Sequence, residues 1–181
     1  PGARVLARGP KGTLVVSETS AGKIVALPDD NGDGISDGPV EILTALNQPH
    51  GLAFVCGQGC SLYVAEEDAV RLYTYDAEAR SAALVGPVAD LPAGDGHSTR
   101  SLLLHPDGMH LLISVGSSCN VCHEDDTRRA AILTMEFISN KVGHFAKGLR
   151  NTVLMAIHPV TGEIWGTETG RDLLGDDTPP D

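Results

Sequence analysis

Leu14-Val15-Val16-Ser17-Glu18 returns as Leu62-Tyr63-Val64-Ala65-Glu66, as Leu111-Leu112-Ile113-Ser114-Val115 and as Ile164-Trp165-Gly166-Thr167-Glu168. The starts of these runs lie 48, 49 and 53 residues apart. Each is preceded by another apolar run and a tight turn. The first two are Val5-Leu6-Ala7 with Gly9-Pro10-Lys11-Gly12, and Leu52-Ala53-Phe54 with Gly57-Gln58-Gly59. The later two are Leu102-Leu103-Leu104 with His105-Pro106-Asp107-Gly108, and Met155-Ala156-Ile157 with His158-Pro159-Val160-Thr161-Gly162. A third run follows the strong one, as in Lys23-Ile24-Val25-Ala26-Leu27 or Arg71-Leu72-Tyr73-Thr74-Tyr75. Pro-Asp-Gly or Thr-Gly between two short β-rich runs signals a hairpin. Helical periodicity is weak, and even 125–136 carries Thr and Ile where a helix takes straight-chain residues. Three or four strands repeating at roughly 40–50 residues predict propeller blades. The expected fold is an all-β, single-domain β-propeller over 1–181 with about four blades in this chain. A β-sandwich of look-alike hairpins is the competing architecture, and four matched phrases in one register count against it. No closing strand is evident after the fourth phrase, so the chain is expected to be the N-terminal part of a longer propeller.

The bulk numbers narrow the function. The chain has 181 residues, 41% hydrophobic and 20% charged, enough for a real core. Its net charge is −11, with 13 basic residues and no basic run longer than a pair. Phosphate contacts need clustered Lys and Arg, so nucleic acid and anionic membranes are poor partners. No apolar stretch approaches the roughly 20 residues that span a bilayer. The chain opens at Pro1 with no initiator Met or signal peptide, which reads as a mature or trimmed product. Four cysteines form two close pairs, Cys56/Cys60 and Cys119/Cys122. Such pairs suit disulfides in an oxidising compartment, or metal or haem ligation. A periplasmic or secreted location is expected.

Several constellations carry chemistry. His97 sits in the polar turn Asp95-Gly96-His97-Ser98-Thr99-Arg100 just before an apolar run. It is placed either to move a proton near neutral pH or to cap the turn by hydrogen bonds. His50, in Gln48-Pro49-His50-Gly51, reads first as a turn histidine and second as a substrate contact. A hydrolase built from Ser98, His97 and Asp95 is disfavoured, because adjacent residues rarely converge and no G-x-S-x-G elbow is present. The segment Asp29-Asp30-Asn31-Gly32-Asp33-Gly34-Ile35-Ser36-Asp37 alternates oxygen ligands around a Gly turn, with Asp29, Asn31, Asp33 and Asp37 as candidate structural-calcium ligands. The twelfth position of an EF-hand loop counted from Asp29 is Val40, not Glu. A short calcium loop and a solvated acidic turn both stand. Cys56 and Cys60 flank a hairpin turn, where a disulfide is the simple reading. Cys119-Asn120-Val121-Cys122-His123 satisfies the c-type haem pattern. A zinc site there lacks a fourth ligand.

Four motifs in order resemble a known family: Gly96-His97-Ser98-Thr99-Arg100-Ser101-Leu102, Ser114-Val115-Gly116-Ser117-Ser118-Cys119-Asn120-Val121-Cys122, Gly148-Leu149-Arg150-Asn151, and Thr167-Glu168-Thr169-Gly170-Arg171-Asp172 running on to Gly175-Asp176-Asp177 and Pro179-Pro180-Asp181. On a blade repeat they are similar to the soluble quinoprotein sugar dehydrogenases of the glucose and sorbosone dehydrogenase type, over nearly the whole chain. The resemblance implies a six-bladed propeller holding pyrroloquinoline quinone (PQQ) and calcium above its channel. It implies a small-molecule sugar substrate and an external electron acceptor. It further implies that His97 is the general base, that Arg150 and Asn151 contact the quinone, and that backbone carbonyls of Gly170 and Arg171 hold the calcium. Thr169 stands where relatives often carry Asn. The resemblance favours a disulfide or thiol pair at Cys119 and Cys122 over haem attachment through Cys119, Cys122 and His123. A carbohydrate-binding propeller without catalysis is the alternative from a different class.

Overall fold

The computed structural model describes residues 2–175, and these contain fourteen β-strands, two short 3-10 turns and no α-helix. The chain divides into two compact units between Asp90 and Leu91.

In the first unit, β1 (Ala3–Arg8), β2 (Leu14–Glu18), β3 (Lys23–Leu27) and β4 (Val40–Leu43) form one antiparallel meander. A second contains β5 (Leu52–Cys56), β6 (Cys60–Ala65), β7 (Ala69–Asp76) and β8 (Ser81–Asp90). The phrase that repeats in sequence is the second strand of each sheet. Val15 and Val16, and Leu62 through Ala65, are buried whichever face they occupy. These strands are therefore apolar at successive positions rather than at alternate ones. Val15, Ile24, Ala26 and Ile42 of the first sheet share a cluster with Leu52, Leu62, Val64, Tyr73 and Tyr75 of the second. Phe54 meets Tyr75 edge-on with ring centroids 5.0 Å apart, a favoured aromatic geometry. Cys56 and Cys60 pair across the β5–β6 hairpin and form a disulfide around Gly57-Gln58-Gly59.

In the second unit, β9 (Arg100–Leu104), β10 (His110–Val115), β11 (Ala131–Glu136) and β12 (Val142–Lys147) make a third meander. The hairpin β13 (Thr152–Ile157) and β14 (Ile164–Glu168) is a separate two-stranded sheet. Leu111, Leu112, Ile113, Leu133 and Met135 are fully buried along β10 and β11. The second half of the 125–136 stretch thus resolves as strand β11, because its branched and apolar residues face a core, while 125–130 forms a turn.

Serine hydroxyls tie neighbouring sheets together. Ser17 Oγ donates to the His50 carbonyl at 2.7 Å, just ahead of β5. Ser114 Oγ, at the same position of the repeated phrase, donates to the carbonyl of Thr152 at the start of β13. Ser101 Oγ donates to the next carbonyl, that of Val153. His50 is itself buried, with its amide bonded to the Ala65 carbonyl at 2.8 Å, which supports the turn reading of that residue. Ser114→Ala leaves a buried carbonyl without its donor and should cost about 1–2 kcal/mol, measured as a lower midpoint in denaturant unfolding with an unchanged m-value.

Candidate functional site

The loop before β9 is fixed from beneath by Arg100, whose side chain is fully buried. Its Nη1 donates to the carbonyls of His97 at 2.6 Å and Thr99 at 2.9 Å, and its Nη2 to that of Pro92 at 2.6 Å. The loop lies against the end of β10. The His97 amide donates to the Ser117 carbonyl at 3.0 Å. Gly96, at φ +78°, lies so close to the Ser117–Ser118 backbone that no Cβ could be accommodated.

The same Ser117 orients the imidazole. His97 Nδ1 is 3.0 Å from the Ser117 carbonyl oxygen and 3.2 Å from Ser117 Oγ. Ser117 Oγ spends its one proton on the Cys119 carbonyl at 2.7 Å. Both neighbours of Nδ1 are therefore acceptors. The proton of the neutral ring is assigned to Nδ1, and Nε2 keeps its lone pair. Asp95 plays no part in orienting the ring.

Arg150 and Asn151 precede β13 and are held by Glu168 at the end of β14. Glu168 Oε1 accepts from the amides of Arg150 and Asn151, the latter at 2.8 Å, and Oε2 accepts from Thr152 Oγ1 at 2.6 Å. The Ser117 amide donates to the Arg150 carbonyl at 2.8 Å. Gly116 is the meeting point: a Cβ there would stand 2.6 Å from Asn151 Oδ1 and 2.7 Å from His97 Cβ. Asn151 is buried, and its Oδ1 has no hydrogen-bond partner.

A cavity of about 600 Å³ opens beside this cluster. Arg150, Gly170, Arg171, Asn120, Glu168 and the Cys119–Cys122 pair contribute to its wall. Ser117 is shared between the wall and the His97 contact, while His97 and Asn151 stand behind the lining. The Arg150 guanidinium is already engaged. It donates to the carbonyls of Gly170 at 2.7 Å, Thr169 at 3.3 Å and Asn120 at 3.2 Å, and it pairs with Asp172 at 2.6 Å. Glu124 Oε1 accepts the Ser118 amide at 2.8 Å. Farther along the same loop, hydrogen bonding from the Arg128 guanidinium pulls the Asp126 carboxyl down to about 2, with the Arg128 amide helping.

Cys119 and Cys122 are joined in a disulfide, and no free cysteine remains. This corrects the haem alternative: thioether attachment through Cys119 and Cys122 beside His123 needs two thiols that the disulfide consumes. The same bond removes the zinc reading. Two disulfides are the state that an oxidising compartment sustains.

The acidic segment 29–37 lies in the first unit. Asp29 accepts the amides of Asp33 at 3.1 Å and Gly34 at 2.9 Å, and Asn31 Oδ1 accepts the Asp33 amide at 2.8 Å. Asp37 closes the loop on the Asp30 amide at 2.6 Å. Residues 176–181, which hold Asp176-Asp177 and Pro179-Pro180-Asp181 of the fourth motif, lie outside the described residues.

The structure thus brings His97, Asn151, Arg150, Gly170 and Arg171 into one neighbourhood of the second unit. Sequence reasoning named these five and missed three supports. Arg100 was quoted only as part of a motif, Ser117 looked like a loop residue, and Glu168 looked like a strand end. The repeat held a signal for Glu168, because Glu66 ends the second phrase and likewise caps a loop amide, that of Asn47, at 2.6 Å.

Fold and site together define an all-β protein of repeated antiparallel sheets with a polar, histidine-bearing cluster at one strand end. The chain matches the TrAA12-like family model over residues 2–178 and belongs to that family. It is similar to an iodide structure of a Trichoderma reesei carbohydrate-active enzyme of family AA12, with TM-score 0.79 and 23% identity, covering 94% of this chain and 46% of that one. It is similar to the holo form of the PQQ domain of pyranose dehydrogenase from Coprinopsis cinerea, with TM-score 0.80 and 20% identity, covering 94% and 44%. It is also similar to a PQQ-bound aldose sugar dehydrogenase from Streptomyces coelicolor, with TM-score 0.66 and 18% identity, covering 94% and 57%. These likenesses show a shared fold. An uncharacterized protein of Borreliella burgdorferi is 34% identical over 85 residues, 47% of this chain and 22% of that protein. The chain spans less than two thirds of the length of each of these proteins.

Arg100→Met should cost about 3 kcal/mol by leaving buried carbonyls unpaired, seen in denaturant unfolding. Amide exchange at His97 should accelerate in the same variant.

Proposed function

We propose that the complete protein is a quinoprotein oxidoreductase that oxidises an aldose or related sugar aldehyde, with PQQ as its cofactor. The family match and the fold shared with PQQ-bearing proteins support the class. The observation that carries the reading is the orientation of His97, whose Nδ1 faces two acceptors on Ser117 and whose Nε2 is left basic.

The residues present suit a planar group that carries anionic oxygens and an N–H. Arg150 supplies positive charge at the cavity wall for the oxygens, and Asn151 Oδ1 is a buried acceptor still lacking a donor, which an N–H would satisfy. When bound, the quinone supplies the hydride acceptor. The work of this chain is then proton transfer and positioning. His97 Nε2 takes the proton of the sugar's anomeric hydroxyl, because loss of hydride alone would leave a protonated carbonyl. Arg150 places a cation where negative charge develops, and Asn151 can both donate and accept. Backbone carbonyls of Gly170 and Arg171 would hold calcium. The Gly170 carbonyl accepts from the Arg150 guanidinium and keeps a second lone pair for the ion. We infer no step through calcium.

We read each sheet as one blade of a propeller that continues beyond this chain, with six blades in the complete ring. The consecutive antiparallel order of the strands in the three four-stranded sheets supports the blade reading, and coverage of about half of the structural relatives supports further blades. We also read segment 29–37 as a structural calcium loop. Counted from Asp29, Gly34 takes the sixth position with φ +84°, where such loops turn sharply, and Asn31, Asp33 and Asp37 fall at the third, fifth and ninth. Calcium should raise the thermal midpoint of the wild-type chain and leave Asp33→Ala unmoved; an equal response in both would discard the loop site.

The full-length native protein, about twice this chain by intact mass, should retain PQQ and reduce a redox dye with aldoses. His97→Gln should lower turnover by about 100-fold or more while keeping the quinone absorbance. An unchanged rate would sink the base assignment. Failure to retain PQQ would sink the oxidoreductase reading, and sugar binding without dye reduction would point to a binding module.

A further inference from the structure

The β9–β10 hairpin turn, His105-Pro106-Asp107-Gly108-Met109-His110, carries a cluster that the proposed chemistry does not use. Asp107 divides its carboxylate. Oδ1 accepts the amides of Met109 at 2.8 Å and His110 at 3.2 Å, which shapes the turn. Oδ2 faces two imidazoles, lying 2.7 Å from His110 Nδ1 and 3.1 Å from His105 Nδ1. All three ligand atoms lie within 4.8 Å of one another. The side chains are 28–32% exposed, so one side of the cluster is open to water.

The turn itself does not require this cluster. The corresponding hairpin of the fourth repeat, His158-Pro159-Val160-Thr161-Gly162, closes without a second histidine. There His158 Nδ1 accepts the amides of Thr161 at 3.1 Å and Val160 at 3.4 Å, while the Glu163 carboxylate accepts from Thr161 Oγ1 at 2.9 Å. In the third repeat, His105 Nδ1 lies 3.3 Å from the Asp107 amide and 3.1 Å from Asp107 Oδ2. Its single lone pair serves the amide or an ion, so ion binding would exchange that long amide contact for a ligand bond. Two acceptors 3.1 Å apart repel unless a cation stands between them.

We propose that His105, Asp107 and His110 form a binding site for a divalent transition-metal ion of the cobalt-to-zinc group. Two imidazole nitrogens and one carboxylate oxygen are a donor set these ions favour over calcium or magnesium. The spacing agrees. Ligands about 2.0–2.1 Å from such an ion lie roughly 2.9 Å apart at adjacent octahedral corners and roughly 3.3 Å apart in the tetrahedral geometry zinc prefers, so the N···O separations of 2.7 and 3.1 Å suit a six-coordinate ion such as Co²⁺ more closely than zinc. Water fills the remaining positions on the exposed side. The Phe145 ring, 6.0 Å from the His105 ring and edge-on, restrains one ligand. The ion would clamp the turn at the far end of β9 from His97.

Titration of the untagged chain with Co²⁺ alone, followed by visible absorption, and with Zn²⁺ alone, by calorimetry, tests the site. One equivalent should bind, with Co²⁺ bands characteristic of imidazole ligation. His110→Gln and Asp107→Ala should each weaken binding by more than the roughly 10–100-fold that loss of a supporting partner costs, while His158→Gln should bind as wild type does. His110→Gln keeps both the His105 and Asp107 turn contacts, so its fold, checked by circular dichroism, separates ligand loss from unfolding. Absence of stoichiometric binding to the wild type, or equal affinity in His110→Gln, would overturn the site and show that a proton alone relieves the cluster.

Discussion

A strand buried on both faces cannot spend its polar groups on water, and the repeated phrase of this chain shows how that constraint is met. Its apolar residues supply burial. Its one hydroxyl, Ser17 in the first repeat and Ser114 in the third, is directed to a carbonyl at the start of the following sheet. One side chain thereby satisfies itself, satisfies a buried carbonyl and fixes where the next chain segment enters. In the second repeat Ala65 takes this position and the hydroxyl is absent. The glutamate that closes the second and fourth phrases acts on the other side, capping amides of the loop that leads into its own sheet.

The candidate site is a by-product of those same ties. Where β10 ends, the third repeat has Val115 in place of the glutamate, followed by Gly116 and Ser117. The missing side chain at Gly116 lets His97 and Asn151 approach one another. Ser117 takes over the contacts with its backbone and hydroxyl, receiving His97 on one side and donating its amide to Arg150 on the other. Buried Arg100 and the carboxylate of Glu168 hold the two loops from outside the cluster. The geometry of the cluster therefore rests in part on Arg100, which is buried and outside the cavity wall.

Much of this was legible in the chain. The four phrases and the turns between them follow from local composition, and local composition decides local backbone. Cys56 and Cys60 were readable as a staple because a five-residue hairpin leaves them no other near neighbour. Cys119 to His123 misled, since a short pattern records spacing and not oxidation state. Arg150 was singled out only by the family resemblance. Its actual partners, three carbonyls and Asp172, were not legible, because backbone acceptors carry no residue signature. The histidine cluster at 105–110 was hidden within an ordinary hairpin phrase.

The sequence by itself determined an all-β chain of repeated hairpins and a net charge of −11, and the resemblance carried by its motifs pointed to His97, Arg150 and Asn151. These follow from pattern, charge and residue type, which are properties of neighbours along the chain. Only the tertiary structure decided which nitrogen of His97 is basic, which of the polar residues share Gly116, and that Asp107 turns one oxygen to two imidazoles. Those outcomes depend on hydrogen bonds between residues 20 or more positions apart, or on the direction of a single carboxylate oxygen, and neither is written in the order of residues.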